Sequence, residues 1–316
     1  MLKKIIGMFL LLGLVVPSIC AEQVKVGFMT TLSGPAGIIG KQMKDAFQLG
    51  LLHIGNSFGD LESKVIYGDD QRKPDVAKQL ANKMVKKHQV HFVTGIIWSN
   101  LLVAIHGPVT RSGTFLVSSN AGPSTVAGKK CSEDFFSVSW QNDQTPEAMG
   151  KYLQDNGINN VYLMAPNYQA GKDMLAGVQR YYSRKVAGKV FTKLGQKDFQ
   201  AEISALRAAG PGAVFVFQPG GMGVNFVKQY SQSGLMDSIP LYTAFTVDGT
   251  TLPALKQMAV GVLGTNPTLC SHIEMETYTW EVLPDEMKQR DVADQLVGEY
   301  EWTLAQLAGQ GILPID

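Results

Sequence analysis

Residues 91–125 read HFVTGIIWSNLLVAIHGPVTRSGTFLVSSNAGPST. The stretch reads as a short apolar strand (91–94), a small polar turn, a helix from about Ser99 to Arg111, a second apolar strand (114–117) and a second small polar turn. Short apolar runs bounded by Gly, Ser and Asn suit strands buried on both faces, and the helix between them is the crossover that parallel strands require. Both turns, 95–100 and 118–125, then open at the carboxyl edge of one sheet, where open α/β sheets bind ligands. They carry hydroxyls and sterically bare backbone amides, a composition suited to an anion such as a carboxylate. No nucleophile–base pair accompanies them, so the stretch reads as built to hold a molecule and not to react with it.

The same alternation extends outward. Toward the N-terminus it predicts a strand at 24–29, a helix within LSGPAGIIGKQMKDAF, a strand at 64–67 and a helix at 74–87 with Val76, Ala77, Leu80, Ala81, Met84 and Val85 on one apolar face. Toward the C-terminus, FFSVSWQN at 135–142 breaks the rhythm and reads as a crossing between domains. Helices are then expected at 145–155, 171–182, 199–209 and 224–233, between strands at 160–165, 189–192, 213–217, 240–243 and 260–263. Strand–helix alternation in two serial runs predicts an α/β fold of two doubly wound parallel-sheet lobes. The expected divisions are 1–20 as a signal peptide, 21–139 and 140–264 as the two lobes, and 265–316 as an atypical C-terminal segment.

Length and charge narrow the function. A chain of 316 residues with 45% hydrophobic and 17% charged residues suits two globular domains. The net charge of +1 gives no nucleic-acid footprint. Lys3 and Lys4, an apolar run from Ile5 to Val16 and the small residues Ser18 and Cys20 form an export signal, too short to span a bilayer. Cleavage after Cys20 is the main reading and a lipid on Cys20 the alternative, with bulky Ile19 set against it. Cys131 and Cys270 remain, either as one disulfide or as two thiols. The five histidines show no metal-ligand spacing, and no cofactor is expected. Residues 267–316 carry ten acidic and two basic side chains, a net of −8 against +9 over the rest of the chain.

Several motifs fail on inspection. Gly220-Gly221-Met222-Gly223 lacks the third glycine and the downstream acid of a dinucleotide fingerprint, and Ser33-Gly34-Pro35-Ala36-Gly37 lacks the Gly-Lys-Ser/Thr of a phosphate loop. Four residues stand out as candidates, each with an ordinary alternative. Ser99 is a ligand donor or a helix cap, and Trp98 a pocket wall or core. Tyr168, directly after a strand, lines a cleft or packs inside. Asp248 is a helix cap or a partner for a ligand donor.

The blocks VGFMTTLSGPAG, YGDDQRKPDVAKQLANKMV, GPVTRSGTFLVSSNAGPS, SWQNDQ, APNYQAGKD, DFQAEISALRAAGPGAVFVF and FVKQYSQSGL resemble, in order, the leucine/isoleucine/valine-binding family of periplasmic substrate-binding proteins of ABC transporters. The longer blocks are most similar to a branch that binds organic and aromatic acids. The resemblance implies two lobes joined by a hinge that shuts on a small carboxylate, delivery to an ABC membrane permease, and a monomer. It assigns Ser99 to the ligand carboxylate and Asn120, Ala121 and Gly122 to backbone and hydroxyl contacts with the same group. It places Tyr168 and Gln218 in the pocket wall of the second lobe, and Asp248 opposite an amino-acid ammonium. Ile39 departs from a tyrosine common in amino-acid binders, and Gly122 from a hydroxyl residue. After Asn266 the family's further first-lobe patterns are missing, which leads to the expectation of an exposed first-lobe core. A sensor module docking on a signalling receptor and an exported enzyme using the same cleft are the competing readings.

Overall fold

The computed structural model describes residues 23–34, 37–249 and 251–265. The expected export signal, Cys20, Cys270 and the C-terminal segment beyond Thr265 lie outside the described residues; Cys131 is exposed.

Strands β1 (Val24–Thr30), β2 (Ser57–Phe58), β3 (Leu61–Asp69), β4 (Phe92–Thr94), β5 (Phe115–Ser118) and β6 (Phe135–Ser137) form one sheet in the order β2-β3-β1-β4-β5-β6. All its pairings are parallel except the β2–β3 hairpin. Strands β7 (Asn160–Pro166), β8 (Lys185–Thr192), β9 (Ala213–Val216), β10 (Leu241–Ala244) and β11 (Leu263–Thr265) form a second, wholly parallel sheet in the order β11-β10-β9-β7-β8. The chain is thus an α/β protein with two doubly wound lobes. The central strands β9 and β10 are buried at every residue, as apolar runs covered by helices on both faces require.

The helices are α1 (Gly37–His53), α2 (Pro74–Asn82), α3 (Ser99–Thr110), α4 (Gln144–Asp155), α5 (Gln169–Tyr181), α6 (Gln200–Ala209), α7 (Gly221–Gln232) and the short α8 (Leu252–Leu255). Pro74 starts α2, where its missing N–H costs nothing, and Ala77 and Ala81 form its buried stripe, which Met84 extends beyond it. A π-turn, Lys83–Lys87, continues it. Among the described residues no helix is long and apolar enough to cross a membrane.

Three local expectations are corrected. Residues 135–137, read as part of a crossing, pair in parallel with β5, so the segment joining the sheets runs from 138 to 143. The last strand starts at Leu263 and not at Val260, because a 3₁₀ turn at Lys256–Ala259 engages the amides of Val260 and Val262. The short β2 hairpin strand, without an apolar pattern of its own, was not anticipated.

One face of the first sheet carries Phe28, Tyr67, Phe92, Phe115 and Phe136, as the register dictates. Helix α1 covers Phe28 through Phe47, with ring centroids 4.8 Å apart. Phe115 and Phe136 remain 39% and 49% exposed, and Ile38, Leu49 and Leu52 on α1 are exposed too.

Candidate functional site between the lobes

Doubly wound sheets bind ligands where the strand order reverses, beyond the carboxyl ends of the strands. In the first sheet the reversal lies between β1 and β4, and in the second between β7 and β9. Thr31 follows β1, Trp98 and Ser99 follow β4, Tyr168 follows β7, and Phe217 and Gln218 follow β9. Topology alone therefore brings these side chains to the two facing sheet edges.

An aromatic seam joins the lobes. Trp98 and Tyr168, 2% and 9% exposed, stand with ring centroids 6.0 Å apart. Tyr168 stacks on Phe217 at 6.3 Å, Phe217 meets Phe245 edge to face, and Phe245 packs on Trp140 at 4.8 Å. Trp98 is fixed from behind: its indole N–H donates to Thr31 Oγ1 at 2.9 Å, and the Thr31 hydroxyl donates in turn to buried Asp70. Burial pushes the Asp70 carboxyl up from its ordinary range. It also drives the Tyr168 hydroxyl far up, so that side chain stays neutral. Ile39 on α1 lies 3.4 Å from where a Cβ at Gly220 would sit, a further approach of the two lobes.

Beneath the seam lies a buried polar cluster. Ser99 opens α3, whose first amides have no carbonyl of their own turn to bond. Its hydroxyl accepts from Asn142 Nδ2 at 3.0 Å, and the same nitrogen donates to Asp173 Oδ2 at 3.0 Å. Asp173, on α5, also accepts from Gln169 Nε2 and from the Ser124 amide. Burial, the largest influence, raises the Asp173 pKa despite these donors. Next to it, Asp143 pairs with Arg180 at 2.7 Å; burial raises its pKa, but the bonds from Arg180 and Gln141 outweigh that and hold it below the usual carboxylate value.

The remaining candidates divide. Ala121 and Gly122 line the β5 edge, but the Ala121 amide is already bonded to the Ile96 carbonyl, and the Gly122 carbonyl accepts from the Asn142 amide. A Cβ at Gly122 would collide with the Trp140 carbonyl, which explains glycine where the resemblance expects a hydroxyl residue. The Asn120 carbonyl accepts from the Ser139 hydroxyl. Gln218 is fully buried: its Nε2 donates to Thr192 Oγ1 at 2.9 Å, while its Oε1 has no partner. Asp248 Oδ1 accepts from the Thr251 amide, holding the start of α8 in the manner of a cap. The structure thus ties Ser99 and Gly122 to Asn142 and sets Trp98 against Tyr168, and it gives Gln218 and Asp248 bonds within the second lobe. Asn142, Asp173, Phe217 and Phe245 were not singled out from the sequence, although SWQND, QAGKD, AVFVF and FTVDG carry them.

The family model for periplasmic binding proteins matches residues 23–274. The chain belongs to the periplasmic binding protein family. Among curated relatives of this family, Leu/Ile/Val-binding protein homolog 6 of Brucella melitensis biotype 1 is 28% identical over 260 residues, covering 80% of this chain. The match spans 66% of that relative's own length. An ABC-transporter solute-binding protein of Rhodopseudomonas palustris BisB5, solved with 3,4-dihydroxybenzoic acid, is 26% identical with a TM-score of 0.72, over 76% of this chain and 67% of the other. A second R. palustris solute-binding protein, solved with benzoate, shares the fold at 22% identity and a TM-score of 0.72, with the same coverage.

Proposed function

We propose that this periplasmic binding protein is exported to the periplasm, holds a small carboxylate between its lobes and passes it to an ABC permease. The observation that carries this reading is the buried seam in which Ser99, at the start of α3, stands beside Trp98 and Tyr168 from opposite lobes. A helix N-terminus with a hydroxyl favours an anion, and flanking rings favour an apolar or aromatic body. The 3,4-dihydroxybenzoic acid bound by the R. palustris BisB5 protein supports the same ligand class. A ligand touching both lobes only when they are shut shifts the open–shut equilibrium by that differential affinity. The segment 138–143 serves as the hinge in this reading, and the unit acts as a monomer. It is no enzyme in our reading: the Ser99 hydroxyl bonds an amide, Asn142, and not a base.

The test is a thermal melt of the purified protein, alone and with aromatic acids, aliphatic acids or branched-chain amino acids. A native-state ligand raises the midpoint by mass action. A cooperative transition raised by one carboxylate class is the expected result. A cooperative transition that none of them moves would overturn the proposed ligand class.

A further inference from the structure

Arg72 lies in the block YGDDQRKPDVAKQLANKMV, where no role was assigned to it, yet it reaches into the seam. It sits in the loop between β3 and α2, and its guanidinium carbon lies 5.6 Å from the Trp98 ring. Across the cleft, a Cβ at Gly195 would be 2.7 Å from Arg72 Nη2, so the side chain from the first lobe closes against backbone of the second. Gly195 has φ +89°, a conformation that favours glycine and leaves that space to the guanidinium.

The loop is shaped to aim it. Gln71 and Arg72 are consecutive non-glycine residues at φ 52° and 57°, sparsely populated backbone that needs support. Asp69 Oδ1 accepts from the Gln71 amide at 2.9 Å, and Asp70 Oδ1 accepts from the Arg72 amide at 2.8 Å. Two buried or half-buried acids thus hold the backbone while the side chain crosses to Trp98.

The charge balance of the seam follows. Among the described residues, no carboxylate lies within ion-pair distance of the Arg72 guanidinium. Asp173 is committed to Asn142, Gln169 and the Ser124 amide, and Asp70 to the Thr31 hydroxyl and the Arg72 amide. After burial, the Tyr168 hydroxyl feels the negative charge of Asp173 and then the opposing positive charge of Arg72. A half-buried guanidinium on an aromatic wall, with no described carboxylate in ion-pair distance, favours an incoming anion and disfavours an ammonium.

We propose that Arg72 is a specificity-determining residue of this site, a cation that makes the cleft select aromatic carboxylates without an ammonium group over zwitterionic amino acids. The inference rests on the carboxylate-binding reading above and narrows it.

Calorimetric titration of benzoate, 3,4-dihydroxybenzoate and leucine into the wild-type protein, Arg72→Gln and Arg72→Lys tests it. Arg72→Gln should weaken both benzoates about tenfold while changing leucine less than about twofold. Arg72→Lys, which keeps the charge and loses the planar stacking, should recover most of the benzoate affinity. Raised salt should narrow the gap between wild type and Arg72→Gln. Equal losses for all three ligands would make Arg72 a latch for closure and overturn its role in selection, as would unchanged benzoate affinity. A wild-type protein that binds leucine and neither benzoate overturns this inference and leaves the binding-protein reading standing; one that binds none of the three and no aliphatic acid either overturns both.

Discussion

Ser99 on the first lobe and Asp173 on the second are tied to one atom: Asn142 Nδ2 lies 3.0 Å from each. Asn142 is 2% exposed and belongs to the segment that joins the two sheets. A single amide therefore sets the Ser99 hydroxyl, a lone pair of Asp173 and the path of the crossing chain at once. Replacing it leaves two buried polar groups without their partner, which costs about 1–3 kcal/mol. Asn142→Ala should lose that much stability in urea denaturation; an unchanged midpoint at an unchanged slope would show that the cluster contributes nothing to the fold.

Ser99→Ala makes the complementary cut. It removes the hydroxyl offered to a carboxylate and spares Asp173, which keeps Asn142 as donor. The expected loss is about 1–3 kcal/mol in binding, the cost of an unmet partner for a buried charge. Calorimetry with whichever carboxylate stabilises the wild type reads it directly. If affinity is unaltered, Ser99 is a helix-start residue and nothing more.

The two acids at the segment joining the sheets have pKa values shifted in opposite directions. Asp143 has a folded pKa below the ordinary carboxylate value of 3.8, so its contribution is present above about that pH and is lost as pH falls through the lower, folded value. Asp173 is raised above 3.8, so its contribution is present below that value and is lost as pH rises through the folded one. Asp143→Asn should therefore lower the melting temperature at neutral pH and reduce the further fall between about pH 5 and about pH 3. Because Arg180 is half exposed, the effect is a shallow slope and not a collapse. A variant whose acid limb matches the wild type would mean that the Arg180 pair does not persist in solution.

Much of this was legible in the sequence, for physical reasons visible element by element. The runs Val161–Ala165 and Ala213–Val216 are apolar throughout because helices cover both faces of those strands, and such runs announce themselves. Ser99 and Tyr168 were legible for another reason: each directly follows a strand, where a doubly wound sheet exposes its ligand edge. Asn142 and Asp173 carried no such signal, since their role arises when the two lobes close over the joining segment. Arg72 was hidden in the same way. Its loop reads as an ordinary polar turn, and only its pair of left-handed residues, invisible in composition, sends the side chain toward Trp98. Phe135–Ser137 was misread because a three-residue edge strand is too short for periodicity to separate from a loop.

Tyr168 is the residue whose kinetics separate a closing site from a rigid one. Its ring lies between Trp98 of the first lobe and Phe217 of its own, so the first contact exists only when the lobes are together. In the proposed reading, a ligand entering an open cleft would meet Ser99 and the α3 amides before Tyr168 closes over it. Tyr168→Ala should accordingly raise the dissociation rate by a larger factor than it lowers the association rate. Tyr168→Phe, which keeps the ring and drops only the neutral hydroxyl, should stay within about threefold of wild type in both rates, the ring carrying most of the contact. Stopped-flow measurement of the two rate constants distinguishes these outcomes. If Tyr168→Ala slows association alone, the ring belongs to the entrance of the cleft and its closure over the ligand is ruled out.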